Sequence, residues 1–177
     1  VVVIVLIVVR PGSGTPGATP GPSDTLEPSV TPTPTSTSAA GGEECSPSQI
    51  RIAAITDSNT YASGDKPKLS MSITNVGAAP CTFDVGTSEQ EYIITSGDDR
   101  IWSSKDCQTG ATANLVVLEP NAEQTTTPFP WDRTRSSKDT CDSGSRPDAV
   151  AGPDGPTYKL QVKLGDLESE LTAFRLF

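Results

Sequence analysis

Tyr158, Leu160, Val162 and Leu164 alternate with Lys159, Gln161 and Lys163, and no other pattern in the chain constrains its fold as tightly. Side chains on a strand point to opposite faces in turn, so a period of two marks a strand with one face buried and one wet. The same period recurs upstream. Ile50, Ile52 and Ala54 alternate with Arg51 and Ala53. Leu69, Met71 and Ile73 alternate with Lys68, Ser70 and Ser72 after a Ser63-Gly64-Asp65 turn. Asn75-Val76-Gly77 makes the next turn, Cys81 to Val85 a further strand, and Glu91 to Thr95 another with Tyr92 and Ile94 on one face. Ser96-Gly97-Asp98-Asp99 closes a hairpin onto Arg100 to Ser103.

Leu115 to Leu118 is a short strand, and Glu119-Pro120-Asn121 turns into Thr125 to Trp131, where Pro128 and Pro130 confine the chain to a sheet edge. Arg133 to Pro156 is polar and predicts a long loop tied down by Cys141. Gly165-Asp166 then leads from the alternating strand to a last one ending in Phe174, Leu176 and Phe177. No helical periodicity of useful length interrupts this series. Seven to nine short strands with regular turn signals in about 130 residues predict an all-β fold, an antiparallel immunoglobulin-like β-sandwich over residues 45–177.

Cys45, Cys81, Cys107 and Cys141 never form a C-x-x-C pair, and the chain has no histidine, which removes zinc-site and thioredoxin-type spacings. Two disulfides in an oxidising, extracytoplasmic compartment are expected instead. Four cysteines permit three connectivities. Cys45 with Cys81 and Cys107 with Cys141 is favoured, since each pair joins neighbouring strand ends in the strand layout above.

The stretch from Ile101 to Cys141 echoes itself. Trp102 leads into Ser103-Ser104-Lys105-Asp106-Cys107, and Trp131 leads, after a few residues, into Ser136-Ser137-Lys138-Asp139-Thr140-Cys141. Two strand ends emerging side by side and stapled together would read this way. The pattern predicts a structural knot.

Residues 1–10 and 11–44 differ from the rest. Val1 to Val9 is an unbroken apolar run closed by Arg10 and Pro11. As a helix it reaches roughly 13 Å, under half of a bilayer core about 30 Å thick. It lacks the basic start and small-residue cleavage site of a complete signal peptide. The expectation is the distal part of a truncated transmembrane helix or signal anchor, with a buried strand of Val and Ile as the alternative. Arg10 argues for the opposite orientation, and the cysteines outweigh it.

From Pro11 to Glu44 the composition turns to Pro, Gly, Ser and Thr, including Thr31-Pro32-Thr33-Pro34-Thr35. So little apolar surface cannot offset ordering entropy, which predicts a disordered stalk reaching up to roughly 100 Å when extended. With no N-x-S/T sequon in the chain, any glycan would be O-linked on this Thr-Pro tract. A plain tether is the alternative. Together these segments predict a single-pass cell-membrane protein with its C-terminal domain extracytoplasmic.

Leu69-Ser-Met-Ser-Ile-Thr-Asn75-Val-Gly77, Leu118-Glu-Pro120-Asn, Trp131 and Gly155-Pro-Thr-Tyr158-Lys-Leu160 together resemble the layout of the BsuPI-type proteinase-inhibitor domains and the wider bacterial Ig-like domains. The resemblance covers roughly Ile50 to Phe177. It implies an Ig-like fold and protease inhibition through an exposed loop. The two disulfides and the stalk depart from that pattern and are similar instead to anchored Ig-like ectodomains of Gram-positive actinobacteria.

A net charge of −9 supplies no basic stripe for phosphate, so a nucleic-acid partner is not expected. Without histidine the Ser-His and Cys-His nucleophile pairs are absent, and no enzyme activity is expected. One S-x-x-K match, Ser63-Gly64-Asp65-Lys66, falls in a turn and lacks the companion motifs of penicillin-binding proteins. Asp98-Asp99 and Asp139, Asp142, Asp148 and Asp154 fit no calcium loop and read as solvated carboxylates. No cofactor, metal or small-molecule substrate is inferred. Trp102 is expected in the core. Trp131, flanked by Arg133 and Arg135, is the candidate partner-binding aromatic.

Two functions follow. The first is a non-enzymatic binding or structural module engaging a cell-envelope protein or a wall polymer. The second is a protease inhibitor presenting the stapled loop Arg133 to Pro156.

Overall fold

The computed structural model of the chain describes residues 42–143 and 146–177. All of them fall in one compact unit, Ser38–Phe177. The expected apolar segment 1–10 and the linker 11–44, apart from its last three residues, lie outside the described residues.

The described chain is all-β. Its strands are β1 (Ile50–Thr56), β2 (Thr60–Tyr61), β3 (Lys68–Asn75), β4 (Cys81–Asp84), β5 (Gln90–Ser96), β6 (Asp99–Ser103), β7 (Leu115–Leu118), β8 (Glu123–Thr125), β9 (Phe129–Pro130), β10 (Thr157–Leu164), β11 (Leu167–Glu168) and β12 (Thr172–Leu176). Eight of these run four residues or longer, within the expected range, and the other four are two- or three-residue pieces. Helix is limited, among the described residues, to single 3₁₀ turns at Pro47–Gln49 and Lys138–Thr140.

The strands form two main sheets. One has the order β1-β3-β8, with β9 also on β3; the other runs β2-β12-β10-β5-β6, with β11 on β10. A separate ribbon pairs β4 with β7. The expectation of wholly antiparallel pairing is corrected where β12 runs parallel to β2, and at the parallel bridges Glu44–Thr82 and Asn75–Pro120. The β12–β2 pair needs a long crossing between its strands, and nearly the whole domain supplies it.

The inner faces of the sheets share one core. Ile52, Ala54, Leu69, Met71 and Ile73 from the first meet Tyr92, Ile94, Tyr158, Leu160, Val162 and Phe174 from the second. Each Ile, Leu, Met, Val or Phe of this set removed from water contributes about 1.5–3 kcal/mol. In β10 the alternation holds as expected, with Tyr158, Leu160, Val162 and Leu164 buried. In β3 it does not: Ser70 and Ser72 are buried as well, so this strand is covered on both faces.

Aromatic rings fill one end of the core. Phe174 stacks on Tyr158 at 5.7 Å and meets Tyr61 and Trp131 edge-on at 5.8 and 6.1 Å. Edge-to-face and offset contacts align ring quadrupoles favourably.

Asn75 ends β3 with no exposure at all, yet its amide is satisfied. Nδ2 donates to Ala79 O and Leu118 O at 2.8 and 2.9 Å, while Oδ1 accepts from Gly77 N–H at 2.8 Å. The expected Asn-x-Gly turn is therefore closed by its own side chain. A Cβ on Gly77 would lie 2.9 Å from that Oδ1 and 2.8 Å from Gln49 Nε2, which is why glycine stands there.

Both disulfides pair as favoured, Cys45 with Cys81 and Cys107 with Cys141.

Candidate functional site

The echoed segments lie side by side. Ser136 N–H donates to Ile101 O at 2.9 Å, Ser103 N–H donates to Ser136 Oγ at 3.1 Å, and Ser136 O–H donates to Asp106 at 2.6 Å. Cys107–Cys141 closes the same junction. The loop beyond is braced at its base, where Arg135 N–H reaches Pro147 O and Ala149 N–H reaches Arg133 O, both at 2.7 Å.

Of the candidate partner-binding residues Trp131, Arg133 and Arg135, the aromatic is buried and the two arginines are half-exposed. Trp131 is 1% exposed, packs on Tyr158 and Phe174, and donates its indole N–H to Thr134 O at 3.1 Å. The cause is register: β9 pairs with Lys68 and Leu69, and Trp131 N–H continues that pairing onto Pro67 O. Arg133, at φ 60°, donates to the carbonyls of Ala62, Asp65 and Phe177. Arg135 pairs with Asp99 at 2.9 Å. All three are fastened to this chain. Trp102, expected in the core, is half-buried beside Phe129 at 6.4 Å.

Ser63-Gly64-Asp65-Lys66 forms a surface turn, with Gly64 at φ 88° and Lys66 paired to Asp132. No group of three or more acidic or cysteine side chains is placed to hold a metal among the described residues.

A different surface is built like an interface. Gly42 to Cys45 runs along β4: Thr82 N–H donates to Glu43 O at 2.9 Å, and Cys45 N–H donates to Thr82 O at 3.0 Å. Thr82 thus turns its main chain away from β7. Hydrogen-bonded and non-hydrogen-bonded pairs alternate along an antiparallel ladder. Val117 opposes Thr82 and Leu115 opposes Asp84, so both direct their N–H and C=O outward. Val85 N–H, bonded to Asn114 O at 2.9 Å, fixes the same phase.

No other strand pairs with β7 among the described residues. The side chains of this open edge are apolar and wet, Leu115 being 71% and Val117 39% exposed. Leu115 and Phe83 also line a groove of about 430 Å³ whose acidic members are Glu44, Asp84 and Glu89. None of these three carboxylates has an ion-pair partner among the described residues. Sequence reasoning found β7 as a strand and missed its edge. The available signal was Leu-Val-Val-Leu, a strand without alternation and so without a polar outer face.

A second cleft, of about 400 Å³, lies behind the Cys107 loop and is lined by uncharged groups, Gln90, Tyr92, Ser104, Gln108 and Phe129 among them. Tyr92 O–H and Thr126 Oγ1 are hydrogen-bonded to each other there at 3.0 Å.

No known protein family matches the chain, and no curated protein matches it. Its strand arrangement has partial likeness to parts of larger solved proteins. A β-glucosidase from Erythrobacter marinus superposes at a TM-score of 0.44 and 14% identity over 72% of this chain. A cycloisomaltooligosaccharide glucanotransferase from Paenibacillus sp. does so at 0.40 and 13% over 77%, and an alkylpurine DNA glycosylase from Pseudomonas fluorescens at 0.40 and 13% over 72%. The chain spans 15%, 14% and 30% of those proteins, respectively.

Proposed function

We propose that this chain is a non-enzymatic, extracytoplasmic binding module, tethered to the cell membrane by residues 1–10 and a stalk over 11–44, with an Ig-like domain that engages a cell-envelope partner. The observation that carries this reading is the open, apolar edge of β7. Solvent-exposed edges with apolar side chains are normally covered or charged, because they pair with whatever chain they meet. The paired cysteines fit an oxidising compartment.

The test is capture from the cell-envelope fraction by Ser38–Phe177, the compact unit that contains the core and both disulfides, with oxidised and reduced protein side by side. Retention of one protein by the oxidised form alone supports the module. Retention of nothing, or of wall polymer alone, favours a spacer or wall-associated structural role.

Protease inhibition of the BsuPI type has one observation in its favour, the bracing of the Arg133–Pro156 loop by Cys107–Cys141 and by the bonds to Pro147 and Arg133. Stoichiometric loss of activity of a secreted protease on titration would favour it over the module.

A further inference from the structure

We infer that the open edge of β7 takes up an extended, cationic segment of a partner protein as an added strand, the partner's main chain pairing with Leu115 and Val117 and a basic side chain reaching over Leu115 to Asp84. This rests on the binding-module reading and specifies the partner's chemistry.

Three features of the edge lead there. Leu115 and Val117 each offer an outward N–H and C=O, with the spacing of alternate residues that an incoming strand requires. Main-chain pairing of this kind supplies affinity, and pockets beside alternate side chains supply selectivity. The groove at Leu115 supplies the charge: Asp84 lines it together with Leu115 and carries no ion-pair partner among the described residues. Asp84 is also held in place, since its Oδ1 accepts from Gly86 N–H and Asn114 N–H at 2.8 Å each. A fixed carboxylate beside the exposed Leu115 and Val117 favours a segment in which Lys or Arg alternates with apolar residues.

Charge also separates this occupant from a second copy of the chain. With a net charge of −9, joining two copies through β7 would bring two acidic molecules together. Net charge far from zero opposes self-association.

The register provides a selective variant. Val117 N–H points away from β4, so Val117→Pro removes a donor from the open edge without removing a ladder bond from the β4–β7 ribbon. Val117→Lys leaves the backbone intact and sets a cation against a cationic guest, and it serves where the proline variant fails to fold.

The experiment measures amide hydrogen exchange of Ser38–Phe177 residue by residue. The probes are a short synthetic peptide of alternating lysine and valine and its glutamate–valine counterpart. The lysine peptide is expected to slow exchange at Leu115 and Val117 by about tenfold or more, as new main-chain bonds do. The glutamate peptide is expected to leave both unchanged. Either Val117 variant is expected to abolish the effect at Leu115.

Unprotected amides, equal protection by both peptides, or protection in the Val117 variants overturns the inference. So does protection that grows with protein concentration in the absence of peptide, which would assign the edge to a second copy. Repeating the envelope capture with Val117→Lys separates the two claims. Undiminished capture leaves the module standing and overturns the edge. Capture by neither form overturns the module, while the exchange result decides the edge by itself.

Discussion

Asp106 receives both terminal N–H groups of Arg100, at 2.7 Å each, and its own side chain is 4% exposed. The fork geometry is the strong form of an ion pair. Ser136 O–H adds a third bond, so this one carboxylate fastens β6, the Cys107 loop and the Ser136 segment together. Asp106→Ala is expected to cost about 1–3 kcal/mol, because it leaves a buried hydroxyl without its acceptor and Arg100 without its partner. Urea denaturation measures it. A change within experimental scatter would show that the network does not support the fold.

The two disulfides close loops of almost equal length, with sequence separations of 36 and 34. Restricting the unfolded chain over such a loop is worth about 4 kcal/mol in the entropy model. Replacing either pair by serines is therefore expected to lower stability by similar amounts. Thermal unfolding of Cys45→Ser/Cys81→Ser and Cys107→Ser/Cys141→Ser variants compares them directly. A difference of several kcal/mol would mean that native-state contacts, not loop length, set their worth.

The tryptophans should separate spectroscopically. Trp131 sits among Tyr158 and Phe174, whereas Trp102 is half-buried beside Phe129. Trp131→Phe is expected to remove the blue-shifted part of the emission and leave a component that acrylamide quenches readily. Trp131→Ala should cost about 3–5 kcal/mol, as for other large core deletions. Emission that stays blue-shifted and unquenched after Trp131→Phe would contradict this assignment.

Tyr61 O–H donates to Asp57 Oδ1 at 2.7 Å, and Lys68 N–H donates to the same oxygen at 2.8 Å. Burial, with help from Asp57, pushes the Tyr61 hydroxyl from 10.0 up to about 12. Burial also acts upward on Asp57, but the bonds from Tyr61 and Lys68 outweigh it and hold the carboxyl below 3.8. The signs then differ. Tyr61 contributes stability that is full below pH 10.0 and is lost as pH rises towards about 12. Asp57 contributes stability that is present above 3.8 and is lost as pH falls through its lowered value. Tyr61→Phe should flatten both limbs of a stability–pH curve measured by urea midpoints. Some alkaline loss should remain, because burial also raises Tyr92 and Tyr158. Unchanged limbs in the variant would rule the pair out.

What the residues disclosed in advance was local. Tyr158 to Leu164 and Ile50 to Ala54 announced their faces because alternation is a property of the strand itself. The Asn75-Val76-Gly77 turn was legible because its closing bonds come from Asn75's own side chain. The misassigned features depended on partners distant in sequence. Trp131 looked exposed between Pro130 and Asp132, yet its direction is set by pairing with Pro67, Lys68 and Leu69. Ser70 and Ser72 looked wet, since a period of two says which side chains point alike and nothing about what lies over them. The openness of β7 was likewise invisible, because an edge is defined by the strand that is missing.

Thr172 O–H donates to Ala54 O at 2.7 Å across 118 residues of sequence, and the neighbouring β12 residues pair with β2. Contacts of that span cannot reward the chain until almost all of it is in place, and proteins dominated by them fold in milliseconds to seconds. A chain emerging from its N-terminal side would therefore hold β1, β2 and β3 ready for some time before their last neighbours arrive. During that interval the Cys45–Cys81 bond can already form, since both cysteines are out. Oxidation of the first cysteine pair is then expected to precede completion of the second sheet.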